Sequence, residues 1–239
     1  EAAAITASDQ TWGVITATAK KRAIVSKVAN ELLHDSVISV IDDLAVAIGN
    51  AFAVREDAEL ILGDGSAAYG SITGLVDGMG AGGTVDMASG NTAFSDVTLA
   101  DLNSLVGNMP DKYYGSAEPS WLISRVAWAS NIQSLVYAAG GNTLADLASG
   151  ADPQLFGFPV KISDSMPVSA VSTYAAFFGN FDAGCLIADR MGIDISVSEE
   201  AYWANDITAI KGVTRYDIQV HDIAGSSAGA VSGLKTAAS

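Results

Sequence analysis

The longest periodic pattern of apolar and polar positions occupies residues 36–63, SVISVIDDLAVAIGNAFAVREDAELILG. Val37, Ile38, Ile41, Leu44, Ala45, Ile48 and Phe52 recur at spacings of three and four, which lays one apolar stripe along a helix. Asp42, Asp43, Asn50, Arg55, Glu56, Asp57 and Glu59 fall mostly on other faces, and the acidic members among them define an acidic face. Ser36 is the expected N-cap, Asp35 places negative charge where the helix dipole favours it, and Gly63 followed by Asp64 and Gly65 supplies the stop. At 1.5 Å per residue such a helix is roughly 40 Å long. It suits either a long core helix or a strut along an extended protein.

On either side of this segment the pattern is shorter-ranged. Residues 1–19, with Trp12, Val14, Ile15, Thr16 and Thr18, read as a strand without a core of its own, which is an aggregation liability unless another chain covers it. Residues 23–34 read as a short strand and a short helix, with Ser26 as cap and His34 at the end. Residues 63–97 are glycine-rich and turn repeatedly, with extended pieces at 72–76. A helix is expected over 98–108, capped by Thr98 or Asp96, striped by Leu99, Leu102, Leu105 and Val106, and ended by Pro110. A buried strand at 121–124, a helix at 126–137 closed by Gly140 and Gly141, a loop over 142–157 and a strand at 158–163 follow. The runs YAAFFGNF, CLIADR and GIDISVS alternate with turns in the manner of an antiparallel sheet. Residues 204–223 are mainly extended, and a small-residue tail carries one apolar piece at 230–234. Helices and antiparallel strands are segregated rather than alternating, so the fold class is α+β.

Composition narrows the picture. The 239 residues permit one large domain or two modest ones. With 49% hydrophobic and 16% charged residues, there is material for a core, and the low charge fraction points to surface buried against other chains. Twelve Lys and Arg against 27 Asp and Glu give 12 − 27 = −15, which opposes a protein that grips nucleic-acid phosphates. The one basic cluster, Lys20, Lys21, Arg22 and Lys27, reads as a solvated strand end or a set of ion-pair partners. The single cysteine, Cys185, allows no internal disulfide, and its small and apolar neighbours suit a buried thiol. No run of 18 apolar residues exists, so no membrane-spanning helix and no membrane partner are expected. The start, EAAAITASDQ, lacks both a signal-peptide pattern and an initiating Met; it reads as the point where a longer precursor is cut or where an ordered region begins.

Candidate chemistry is sparse. GMGAGG at 78–83 has neither dinucleotide spacing nor a following Lys-Ser/Thr. None of the H-E-x-x-H, C-x-x-C, G-x-S-x-G or P-loop patterns occurs. His34 has no second ligand at metal spacing. His221 and Asp222 are neighbours on an extended segment, which points their side chains to opposite faces. A Ser-His-Asp site assembled in space around His221 is the remaining enzymatic route, that of a soluble hydrolase. Asp42/Asp43 and Glu199/Glu200 read as solvated or interface charges. No catalytic, cofactor-binding or metal residues are assigned, no cofactor is expected, and the chain reads as a non-enzyme.

Three stretches, taken together and in order over nearly the whole chain, resemble the major capsid proteins of tailed bacteriophages with the Hong Kong 97-type fold. The first runs from EAAAITASDQTWG through VSKVANELLHDS into the long helix, then AELILGDGS and GSITGLV. The second is LFGFPVKISDSMP, and the third is AAFFGNFDAGCLIADRMGIDISVSEEAYWANDITAIKGVTRYDIQVHD. The resemblance implies an E-loop returning strand at residues 1–20, a peripheral domain at 21–63 and 190–224 built on a long spine helix, and an axial domain at 64–189 and 225–239. It implies a structural subunit of an icosahedral capsid that self-assembles into pentamers and hexamers and encloses double-stranded DNA without sequence-specific binding. Its partners would be itself and portal, scaffold and decoration proteins. It would reside in the virion after assembly in the bacterial host cytoplasm. The same fold also serves as the shell of cellular nanocompartments, which enclose enzymes in place of DNA.

The chain departs from that family at its front, where the N-terminal arm and the outgoing E-loop strand are absent. Some family members weld subunits through a Lys–Asn isopeptide bond assisted by a Glu. Asn205 lies near the acceptor position, but Ile5 falls where the donor would be, no lysine occurs in residues 1–19, and Gly212 and Thr214 lie where the acid is needed. Autocatalytic cross-linking is therefore not expected. Denaturing electrophoresis of assembled particles should show a single monomer band, and a covalent ladder would overturn this.

Overall fold

The computed structural model describes residues 13–115, 117–138, 153–223 and 225–238. The strands form a three-stranded sheet, ordered β1-β8-β7, and a six-stranded sheet, ordered β2-β9-β6-β3-β5-β4. The first comprises β1 (Lys20–Ala29), β7 (Cys185–Tyr202) and β8 (Ile207–Val220). The second comprises β2 (Thr84–Asp86), β3 (Ser120–Ser124), β4 (Gln154–Leu155), β5 (Phe158–Ser163), β6 (Tyr174–Gly179) and β9 (Val231–Lys235).

The long helix, α2, spans Val40–Leu62. Its 23 residues make it about 35 Å long. Its N-cap is Ser39, whose hydroxyl accepts the Asp42 backbone N–H at 3.4 Å, rather than Ser36. The Ser36 hydroxyl instead closes a local turn with both backbone groups of Ile38, and the Ser36 N–H ends the preceding helix α1 (Asn30–Asp35) on Leu32. Val37 and Ile38, assigned above to the apolar stripe, therefore lie outside the helix and are exposed. Ile48 and Phe52 are buried, and Ile41 and Leu44 half-buried, against Ile210 of β8 and Ile24 and Val28 of β1.

β1 runs antiparallel to β8 from Lys20↔Tyr216 to Ala29↔Ile207. Ser26 sits mid-strand opposite Ile210 and caps nothing; α1 follows Ala29 without a side-chain cap. The strand expected around residues 12–18 begins instead at Lys20. Residues 13–19 join no strand among the described residues, Val14 is 89% exposed, and Trp12 lies outside them.

β8 is the central strand of its sheet, and its even-numbered residues face α2. Gly212 is required there: a Cβ would fall 2.5 Å from Ile48 Cγ2 and 3.0 Å from Phe52 Cε2. CLIADR and GIDISVS, read above as separate runs, are one strand, β7. The residues between them produce register shifts at Asp189/Met191 and Met191/Asp194, so the turn signals mark bulges.

The six-stranded sheet encloses the larger core. β6 is buried at every position between β9 and β3. Trp121 is fully buried, packs tilted against Phe178 with ring centroids 4.6 Å apart, and donates its indole N–H to the Leu155 carbonyl at 3.0 Å. Helix α4 (Leu99–Asn108) lays Leu102 and Leu105 on this core, started by a capping box between Thr98 and Asp101. The helix expected at 126–137 begins at Arg125 and passes through a π turn at Trp128–Ile132 that keeps Trp128 and Ile132 in the core. Gly140, Gly141 and most of the loop after them lie outside the described residues. β6 and β7, which carry the runs read above as antiparallel, pair antiparallel with their neighbours, while β3–β5 and β2–β9 are parallel, so the six-stranded sheet is mixed. Residues 72–76 contribute one bridge, Thr73 to Asp64, and then the short helix α3 (Leu75–Gly78) rather than a strand.

Gly212→Ala is expected to cost about 1–3 kcal/mol in denaturant unfolding. Combined with Ile48→Ala it should cost less than the sum, because the second change removes the methyl group that the new Cβ meets. Strict additivity of the two would contradict this packing.

Candidate assembly site

Glu59, assigned above to an acidic outer face, is fully buried. Its carboxylate receives Arg22 Nε at 2.9 Å and Nη2 at 2.9 Å, Arg55 Nε at 2.7 Å and the Tyr216 hydroxyl at 2.9 Å. One side chain thus ties the C-terminal half of α2 to β1 and to β8. Arg55 also donates to the Ala68 carbonyl and Lys20 Nζ to the Ser71 carbonyl at 2.8 Å, which brings the 67–71 turn into the same knot. Gly70 is needed in that turn twice over. Its φ is +61°, and a Cβ would overlap the Arg22 guanidinium.

Burial alone would raise the Glu59 carboxyl pKa, but hydrogen bonds from Arg22, Arg55 and Tyr216 overcome it and hold the group below the usual carboxylate range. The bond to Glu59 raises Arg22 in return; burial, and then the bond to Glu59, raise Tyr216. The Glu59 carboxylate is therefore ionised and buried, with Arg22 only 11% exposed, while Arg55 is 43% exposed at the edge of the cluster. The cluster acts as a positioning device.

Two exposed features leave the frame that this cluster holds. Residues 13–19 depart from the start of β1, pinned where the Thr18 N–H donates to Asp217 Oδ2 at 2.6 Å. Asp217 is itself buried and also accepts from Gln219 at 2.8 Å. The second feature is the long β7–β8 hairpin. It turns through a 3-10 segment at Trp203–Asn205, with Asp206 in a left-handed conformation held by Asn30 Nδ2 at 2.6 Å. Trp203 at the tip is 83% exposed.

The catalytic candidates do not converge. His34 is exposed at the end of α1. The His221 backbone N–H bonds the Gly184 carbonyl at 2.8 Å, and Asp222 next to it accepts from the Tyr113 hydroxyl, so the two are not assembled as a relay. Burial pushes the Cys185 thiol up to about 12, which leaves it inert as a nucleophile. Asp42 and Asp43 are exposed in the first turn of α2, and Glu199 and Glu200 are exposed near the hairpin tip. No group of three or more potential metal ligands occurs among the described residues. The glycines at 78–83 serve packing: Gly80 N–H bonds the Ile223 carbonyl, and a Cβ on Gly82 would strike the Ser227 backbone at 2.3 Å. Asn205 lies exposed at the hairpin tip, Gly212 under α2, and Thr214 is buried with its hydroxyl on the Met191 carbonyl; Ile5 lies outside the described residues.

The buried acid was legible in part. Glu59 follows Phe52 by seven residues and Ile48 by eleven, which continues the apolar stripe, and Arg55 precedes it by one turn. The Arg22 contact needs the β1–β8 register, which sequence spacing does not contain.

Residues 1–225 match the model of the phage capsid family. No curated protein matches the chain significantly. Among solved structures, the chain is similar to the capsid of a native GTA particle, with 25% identity and a TM-score of 0.73 over 94% of this chain and 74% of that one. It is also similar to a structure from Mycobacterium phage Adephagia, with 18% identity and a TM-score of 0.65 over 93% and 73%. The holo-SrpI encapsulin complex from Synechococcus elongatus PCC 7942 gives 18% identity and a TM-score of 0.60 over 91% and 73%.

Glu59→Gln is expected to cost about 3 kcal/mol or more at neutral pH, because it leaves Arg22 unpaired in a buried place. The sign of the pH effect follows from a depressed carboxyl pKa: the stabilisation is present above the ordinary value of 4.5 and is lost as pH falls through the folded value. Thermal unfolding of wild type should thus steepen between about pH 5 and pH 3, and that of the Gln variant should be flatter. Parallel acid profiles would contradict the assignment.

Proposed function

The chain belongs to the phage capsid family, and from that membership we propose that it is the repeating subunit of an icosahedral shell, assembling as pentamers and hexamers around double-stranded DNA. The observation that carries the reading is the family match over residues 1–225 together with the capsid-like fold. The family and the fold are those of shell proteins and not of enzymes. The arm at 13–19 and the projecting hairpin, both poor in partners within the chain, support a protein completed by its neighbours.

The reading extends to the division of labour. Residues 21–63 and 190–224 act as the peripheral domain, 64–189 and 225–239 as the axial domain, and 1–20 as the returning E-loop strand. The spine is α2, and the knot at Glu59 sets its angle to the peripheral sheet. The charge of −15 fits a container whose walls do not grip the packaged polyanion. Assembly takes place in the host cytoplasm with portal, scaffold and decoration proteins, and the product is the virion head.

The likeness to an encapsulin supports a second reading, a nanocompartment shell of the same fold. Contents separate the two. Purified particles treated with nuclease should retain protected double-stranded DNA, whereas an enzyme cargo without DNA would favour the compartment. Electron microscopy tests both: closed shells with five- and six-fold capsomers are expected, and a monomer at every concentration would overturn the shell assignment.

A further inference from the structure

The face of the three-stranded sheet turned away from α2 collects cations that form no ion pair among the described residues. The even-numbered residues of β1 and β8, among them Arg22, Ile24, Ile210 and Tyr216, pack toward α2, so the odd-numbered ones point outward. Lys21 stands opposite Arg215, Val25 opposite Lys211, and Lys27 opposite Ala209. The four cations are exposed, and among the described residues none of them forms an ion pair; Lys27 lies 4.0 Å over the Tyr202 ring. Four of the chain's 12 Lys and Arg thus share one sheet face in a strongly acidic protein. Like charges placed directly across a pair, as at Lys21 and Arg215, are unfavourable unless something answers them. The carboxylates on the same face are Asp194, exposed opposite Val213, and Asp217, which is engaged by Thr18 and Gln219. Beside the cations lies a hollow of 310 Å³ lined by Val25, Ser196, Ser198, Tyr202, Ala209 and Lys211.

The far end of the hairpin has the complementary character. Glu199, Glu200 and Asp206 are exposed there around Trp203, which is 83% exposed. Tryptophan is the side chain most often found as an energetic anchor when an interface buries it. We infer that the outward face of this sheet is the docking surface for the hairpin tip of a second copy of the chain: Trp203 of one copy enters the hollow over Val25 of the next, and Glu199 and Glu200 meet Lys211, Lys21 and Arg215. The contact is head-to-tail, so every copy uses both surfaces and the contact repeats from copy to copy. A second copy fits better than nucleic acid, because the face pairs its cations with an apolar hollow that a phosphate backbone does not fill, and the chain as a whole repels a polyanion.

The inference rests on the chain being a self-assembling shell subunit, and charge swapping separates the two. Lys211→Glu with Arg215→Glu, and separately Glu199→Lys with Glu200→Lys, are surface changes that circular dichroism should show to be folded. Each pair is expected to raise the protein concentration needed for assembly by about tenfold or more, and the four changes together should restore it. Trp203→Ala should raise it as well, with no restoration by the charge swap. The full chain carrying both Val25→Cys and Trp203→Cys should give a disulfide ladder on oxidation. In a single chain these two positions lie too far apart along the hairpin to bridge. Assembly that ignores every one of these changes would overturn the docking contact while leaving the shell assignment intact. A disulfide-linked dimer from Trp203→Cys alone would overturn it in favour of tip-to-tip contact, and loss of DNA retention at unchanged assembly would overturn it in favour of a nucleic-acid surface. Wild type that does not assemble, together with a double-cysteine variant that yields no ladder, would remove both.

Discussion

The buried carboxylate of Glu59 is the constraint on which the other elements depend. A charge fully removed from water is tolerated only when its partners are fixed in place. Here the partners come from three different segments, Arg55 on α2 itself, Arg22 on β1 and Tyr216 on β8. The requirement to satisfy one acid therefore determines how the long helix crosses the sheet, which residue of β1 faces inward, and where the 67–71 turn closes. Hydrophobic contact among Ile48, Phe52, Ile210 and Val28 supplies area but little angular information. The ion cluster is directional, and it sits at the point where the free arm and the sheet diverge.

Much of the frame was legible from periodicity. The α2 stripe from Ile41 onward, α4 with its Thr98 cap and the strand at 158–163 are local signals, each where the pattern puts it, and the apolar piece at 230–234 falls in β9 from Val231 onward. The misreadings share a cause. Ser36, Ser26 and the break between CLIADR and GIDISVS carry the chemistry of caps and turns, but competing long-range contacts decide their use: Ser39 captures the helix start, Ser26 is taken into the β8 ladder, and the break becomes a pair of register shifts. The same limit governs Glu59. An acid on an apolar stripe signals a hidden partner, but the identity of that partner depends on a strand 37 residues earlier in the chain.

For a protein read as a shell subunit, the division between what is buried and what is left bare carries the functional meaning. The six-stranded sheet is packed at its centre, with β6 buried throughout and the Trp121 ring tilted against Phe178. The three-stranded sheet has a covered side and an open side, and the open side carries cations that form no ion pair among the described residues. Stability and association are thus assigned to separate surfaces, so that exposed changes on the hairpin can alter assembly while leaving the fold untouched.

The strand order also sets a sequence of events. β1, at residue 20, pairs along its whole length with β8, which starts at Ile207, and β9, the last of the described strands, lies inside the six-stranded sheet between β2 and β6. The first sheet cannot close until residue 220 has been synthesised, nor the second until residue 235, and contacts of that separation form slowly. The hairpin tip and the cationic face are both built on β8. They come into being in the same step, so a nascent chain presents neither surface to its neighbours on the same polysome until β8 has paired with β1 and β7.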